Sequence, residues 1–107
     1  MKLIFAIVSN EDSPHVSRCL TKNGFQVTKL ATTGGFLSQG NTTLIVGTED
    51  DLVPKAIELI GSESRTRKEF APTSTMYGTD RIITAPVEVT VGGATIFVLD
   101  VEQFIKL

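Results

Sequence analysis

A chain of 107 residues is the size of one domain, long enough for a single core and too short for two. Ten Lys and Arg stand against twelve Asp and Glu, a formal net charge of −2, so neither nucleic acid nor an anionic membrane is an expected partner. One cysteine cannot close an intrachain disulfide, which points to a reducing cytoplasm.

The run Leu3 to Val8 is continuously apolar and predicts a central strand covered on both faces. It is too short for a signal peptide, and Asn10-Glu11-Asp12 follows where a small-residue cleavage site would stand. No apolar run approaches the roughly 20 residues of a membrane span. Ser13-Pro14 predicts a helix start, with Ser13 as N-cap and Pro14 at the first helical position. Val16, Cys19 and Leu20 share one face of that helix, and Gly24 is its expected C-cap. Phe25 to Thr32 and Thr42 to Thr48 read as strands. Glu49-Asp50-Asp51 supplies the acidic start of a second helix, with Asp50 or Asp51 as N-cap. Its buried stripe is Val53, Ala56, Ile57 and Ile60, and it ends near Gly61.

From about residue 62 to 84 no period is visible, and a loop of that length in so small a domain is either functional or mobile. Val87 to Val91 alternates, Gly92-Gly93 reads as a two-residue hairpin turn, and Ala94 to Val101 as the partner strand. Glu102 to Leu107 suggests one helical turn. The whole is one α+β domain, 1–107, of ferredoxin-like βαββαβ pattern with an extra C-terminal strand. Both helices pack on one face of the sheet. The other face, also apolar, needs cover, which predicts association with copies of the same chain.

Chemistry-bearing residues are sparse. His15 is the single histidine and reads as an exposed helix residue; Cys19 reads as a small core residue. One histidine and one cysteine exclude a structural zinc site of the usual ligand types, and no nucleophile elbow or P-loop is present. No catalytic constellation emerges, so the expectation is a binding protein, not an enzyme, with no metal and no cofactor. The strand aromatics with which RNA readers stack bases are missing. The distinctive segment is Val27 to Thr43, VTKLATTGGFLSQGNTT. Its glycines let backbone amides approach a ligand, Phe36 offers a face, and Asn41 can read a purine edge. The alternative is a long hairpin whose Phe36 tucks into the domain's own core.

The segment TKLATTGGFLSQGNTT, together with VEVTVGGATIFVL, resembles the PII-like cyclic di-AMP receptor family over nearly the whole chain. The resemblance implies a homotrimer with a short first loop (about 33–41) and a long second loop (about 62–84). It implies cyclic di-AMP bound in clefts between subunits. Transferred position by position, Thr28, Asn41 and the backbone at Gly47 would contact an adenine. Gly35, Phe36 and Leu37 would line the pocket from the first loop, and Phe97 would lie against the ligand from the last strands. Gln26, Val27 and Lys106 are further candidates. Position 26, commonly arginine in the family, is Gln26, and a glutamine common near the C-terminus is replaced by Lys106; glutamine offers a phosphodiester one neutral hydrogen bond where arginine offers a charged pair. The function implied is cytoplasmic signal transduction through loop rearrangement toward a downstream protein partner that the sequence does not specify. The rival reading is a PII-like ATP/ADP-sensing adaptor, for which Arg65, Arg67 and Lys68 would have to hold a triphosphate. A small enzyme or metal-tolerance protein on the same fold is disfavoured by the scarcity of histidine and cysteine.

Overall fold

The apolar run at the start of the chain becomes the strand on which the rest is assembled. The computed structural model describes residues 1–31, 40–72 and 86–107. In chain order these form β1 (Lys2–Ser9), α1 (Ser13–Lys22), β2 (Val27–Ala31), β3 (Asn41–Thr48), a 3-10 turn (Asp50–Leu52), α2 (Val53–Glu63), β4 (Arg67–Pro72), β5 (Pro86–Val91) and β6 (Ala94–Asp100). One antiparallel sheet has the order β2-β3-β1-β6, and β4 pairs with β5 in a separate ribbon. The four-stranded sheet with two helices is consistent with a ferredoxin-like α+β fold.

Alternation along β1 and β3 divides the sheet into two faces. Ile4, Ala6, Val8, Leu44 and Val46 are buried beneath Val16 and Leu20 of α1 and Ala56 and Ile60 of α2. Burying a side chain of that size contributes about 1.5–3 kcal/mol, so this layer is the main source of stability. The opposite face carries Leu3, Phe5, Ile7 and Ile45, half-buried, and Phe97 and Leu99 of β6, both exposed. That face has no helix over it among the described residues.

Helix punctuation is displaced by one residue from the expected positions. Asp12, not Ser13, is the N-cap of α1, and its side chain makes no capping bond. Its carboxylate is turned instead toward Arg67. The other end follows its glycine: Gly24 has φ of +89°, and amide donations from Phe25 to Leu20 O (3.0 Å) and from Gly24 to Thr21 O (3.1 Å) close a Schellman motif. Neither Asp50 nor Asp51 caps α2; the 3-10 turn intervenes, Leu52 precedes the helix, and the Asp50 carboxylate pairs with the Met1 ammonium at 2.9 Å. Within α2, Ile57 is exposed and Leu59 packs against the core in its place, and the helix runs through Gly61 to Glu63.

Three expectations are corrected at the C-terminal half. The unpatterned stretch after α2 contains strand β4, and residues 73–85 lie outside the described residues. Gly92-Gly93 does not turn β5 back onto β6. Both glycines have φ near +88°, and they carry the chain from the ribbon into the main sheet, where β6 pairs with β1. A β-carbon on Gly92 would lie 2.5 Å from the Arg65 carbonyl oxygen, so that position admits glycine alone. The strand completing the main sheet is therefore the last one, and the additional strands are inserted before it. Finally, Val101–Leu107 is irregular, not helical.

Candidate functional site

A groove of about 600 Å³ lies on the outer sheet face, at the end where β1 begins and β3 finishes. Its floor is Leu3, Ile45 and Gly47, and antiparallel pairing sets them side by side: Leu3 opposite Gly47, Ile45 opposite Thr28. The C-terminal tail supplies the wall with Val101, Gln103, Phe104, Ile105 and Lys106. An amide donation from Val101 to Met1 O (3.2 Å) fastens the start of that tail. Gln26, Thr28 and Lys106 give the rim two neutral hydrogen-bonding side chains and one cation. A β-carbon added at Gly47 would meet nothing nearer than Leu3 Cδ1 at 4.0 Å. The missing side chain thus leaves room in the groove and relieves no clash. The arrangement suits a flat molecule with an apolar face, polar edges and modest negative charge.

Asn41 lies elsewhere. It is six residues before Gly47 on β3, roughly 20 Å away at strand rise, beyond the reach of one purine. There it borders a cleft of about 350 Å³ with Ser9, Asn10, Glu11, Gly40, the last two residues of β5 (Thr90 and Val91) and Gly92. This end is knit together by the chain's own bonds. The Asn10 amide donates to Gly40 O at 3.1 Å, the Asp12 amide donates to Ser9 O and Oγ at 3.1 Å each, and the Thr42 hydroxyl donates to Asn10 Oδ1. Arg67 makes a forked contact with the buried Asp12 carboxylate, Nη2 to Oδ1 at 2.9 Å and Nη1 to Oδ2 at 3.3 Å. Those Arg67 bonds, helped by Ser9, hold the Asp12 carboxyl below the usual carboxylate range despite the opposing effect of burial.

The remaining candidates divide as follows. Phe97 is opposite Phe5 on the outer face of β6 and 53% exposed, facing the same side as the groove floor. Val27 pairs with Val46 and packs against the helix-side core, so its side chain points away from the groove. Gly35, Phe36 and Leu37 lie outside the described residues. The structure therefore gathers Gln26, Thr28, Gly47 and Lys106 in one place, with Phe97 on the same face, and sets Asn41 at the other end of the sheet. Sequence reasoning missed Phe104, Ile105 and Gln103 as groove residues. Two large apolar side chains in a seven-residue tail were the available signal, but read as a helical turn they gave no direction.

No group of three His, Cys, Asp or Glu that would suit a metal ion occurs among the described residues. No described helix is long and apolar enough to cross a membrane. A family model described as cyclic-di-AMP receptor matches residues 1–107, the entire chain. The chain belongs to the cyclic-di-AMP receptor family. Its fold is similar to that of a crystal structure of a functionally unknown protein from Pediococcus pentosaceus ATCC 25745, with 42% identity, TM-score 0.75, and coverage of 99% of this chain and 96% of that one. For a receptor family the small molecule is a ligand, not a cofactor.

Proposed function

We propose that this receptor-family member is a non-enzymatic, cytoplasmic signal transduction protein that binds cyclic di-AMP as a PII-like homotrimer. Its ligand clefts are built between subunits: the Gln26–Thr28–Gly47–Lys106 groove of one copy faces the Asn41 end of the next. Binding is passed to a downstream protein through rearrangement of the loops that flank β3 and the ribbon.

The observation that carries the ligand is the family match across the whole chain. The outer face supports the assembly: Phe5, Ile7, Phe97 and Leu99 form an apolar layer, half-buried to exposed, with no helix over it among the described residues, which a second copy would bury. Separation of Asn41 from Gly47 supports clefts shared between subunits, because one adenine cannot reach both in one copy. Within such a cleft Asn41 would pair with a purine edge, the open backbone at Gly47 would admit the ring closely, and Lys106 would balance a phosphodiester.

The ATP/ADP-adaptor reading is weakened by the ion pairs of its would-be triphosphate site. Arg67 is engaged by Asp12 and Glu69, and Lys68 pairs with Glu88 at 3.7 Å. Calorimetric titration of the purified protein with cyclic di-AMP, cyclic di-GMP, ATP and AMP tests the reading. Saturable heat with cyclic di-AMP and none comparable with the others is expected. Preference for ATP would overturn it.

A further inference from the structure

The ribbon β4–β5 is held to the body in an unusual way. Its strands pack on each other, and among the described residues neither packs extensively on the helices or the four-stranded sheet. Its covalent connections are residues 64–66 at one strand and Gly92-Gly93 at the other. Among the described residues the charged tie is the forked Arg67–Asp12 contact, made by the first residue of β4, and a backbone bond from the Gly93 amide to Ser64 O stands beside it. Arg67 Nη1 also donates to the Arg65 carbonyl at 3.1 Å, and Gly92 backs directly onto that same carbonyl and guanidinium. Both ends of the ribbon's base therefore close around one guanidinium.

Asp12 sits at the end of a turn whose other members hold the start of β3. The Ser9–Asp12 turn grips Gly40 through the Asn10 amide and Thr42 through the Asn10 side chain, and its last amide is bonded twice to Ser9. An N-cap aspartate ordinarily accepts from its own helix; here the carboxylate is committed to the ribbon. Asp12 is 3% exposed with the Arg67 guanidinium against it, and without Arg67 its carboxylate would lose its paired cation and keep only the Ser9 hydroxyl as a side-chain donor. Arg67 thus steadies, through Asp12, the same turn whose Asn10 amide holds Gly40.

We propose that the Asp12–Arg67 bridge is a positioning clamp for the Asn41 end of the ligand site, so that ribbon position and ligand binding at Asn41 are energetically coupled. The coupling part rests on the reading of Asn41 as a cyclic di-AMP contact; the clamp itself does not. The link is contiguous, running from ribbon to Arg67, Asp12, the Asn10 turn, and Gly40–Asn41. By reciprocity, anything that binds or shifts the ribbon changes ligand affinity, and ligand changes ribbon position by the same free energy.

The test is hydrogen exchange on the ligand-free wild type, Arg67→Met and Arg67→Lys, paired with cyclic di-AMP titration of each. In Arg67→Met the amides of Asn10 and Asp12 are expected to exchange at least about tenfold faster, with Ile4–Ala6 unchanged. Arg67→Lys, which keeps the charge without the fork, restores part of that protection. Cyclic di-AMP affinity is expected to fall about fivefold or more in Arg67→Met and to recover in part in Arg67→Lys. Unchanged exchange at Asn10 and Asp12 overturns the clamp, since Arg67 would then anchor only the ribbon. Faster exchange with wild-type affinity overturns the coupling. Failure of the wild type itself to bind cyclic di-AMP counts against the ligand reading, and the exchange data still decide the clamp.

Discussion

At one end of the four-stranded sheet Gln26, Thr28, Gly47 and Lys106 surround open space; at the other, Thr42 is bonded to Asn10 and Arg67 to Asp12. Both ends are polar, and both are glycine-marked. The first leaves its hydrogen-bonding side chains at the rim of an apolar floor. The second directs them inward to join a turn, a strand and a ribbon. Its glycines are dictated by backbone conformation and by close approach of the chain to itself. What distinguishes an open groove from a joined end here is where the partners of the polar groups come from, not which residues are present.

The comparison breaks most visibly at the two kinds of glycine. Gly92→Ala forces a side chain onto a backbone with φ of +88° and against a carbonyl 2.5 Å away. A loss of about 2–4 kcal/mol in urea unfolding is expected, from left-handed strain and overpacking together. A variant as stable as the wild type would mean that the ribbon base is loosely held.

Asn41→Ala is expected to lower cyclic di-AMP affinity by about 1–3 kcal/mol, up to roughly a hundredfold, while stability falls by no more than about 1 kcal/mol. Calorimetry and thermal unfolding separate the two. Retained affinity with a collapsed melting temperature would make Asn41 part of the joint only. Gly47→Ala sharpens the other side: stability within about 0.5 kcal/mol of wild type, but affinity reduced about tenfold because the methyl enters the groove.

The smallest expected effect is one of pH. Asp12 has a folded pKa below its ordinary value of about 3.9, so its bridge contributes fully above that value and is lost as pH falls through the lower folded one. Glu69 and Glu11 near Arg67, and His15 near Asp12, shape the same field. Asp50, depressed by the Met1 ammonium, titrates in the same window but is untouched by a change at Arg67. The acid limb of stability, followed by urea unfolding below about pH 4, is therefore expected to be steeper in the wild type than in Arg67→Met. Parallel limbs would remove Asp12 from the account.

Much of this was legible in the chain. The run from Leu3 to Val8 and the stripe at Ala56 and Ile60 are local signals, and the core buries Ile4, Ala6, Val8, Ala56 and Ile60; Pro14 and Gly24 mark the two ends of α1. The Gly92-Gly93 pivot was not legible, because the local rule for two glycines between strands is a hairpin. The choice between that and a crossing is made by β1, whose free edge takes β6 as its neighbour. Strand β4, RKEFAP, was hidden because its charged residues serve the ribbon and the Asp12 bridge and not a periodic core face. Among the site candidates, Thr28 and Gly47 come together only through the β2–β3 register, and Lys106 only through the path of the tail; neither is encoded in local spacing.

The central claim is a cyclic di-AMP cleft made of opposite sheet ends from two subunits. Mixed assemblies test it most directly. Asn41→Ala chains and Gly47→Val chains, each expected to bind weakly alone, are unfolded together in equal amounts, refolded and titrated with cyclic di-AMP. Wild-type affinity is expected to return in a fraction of sites, where an intact groove meets an intact Asn41 from its neighbour. A mixture that binds no better than the two variants separately would contradict it.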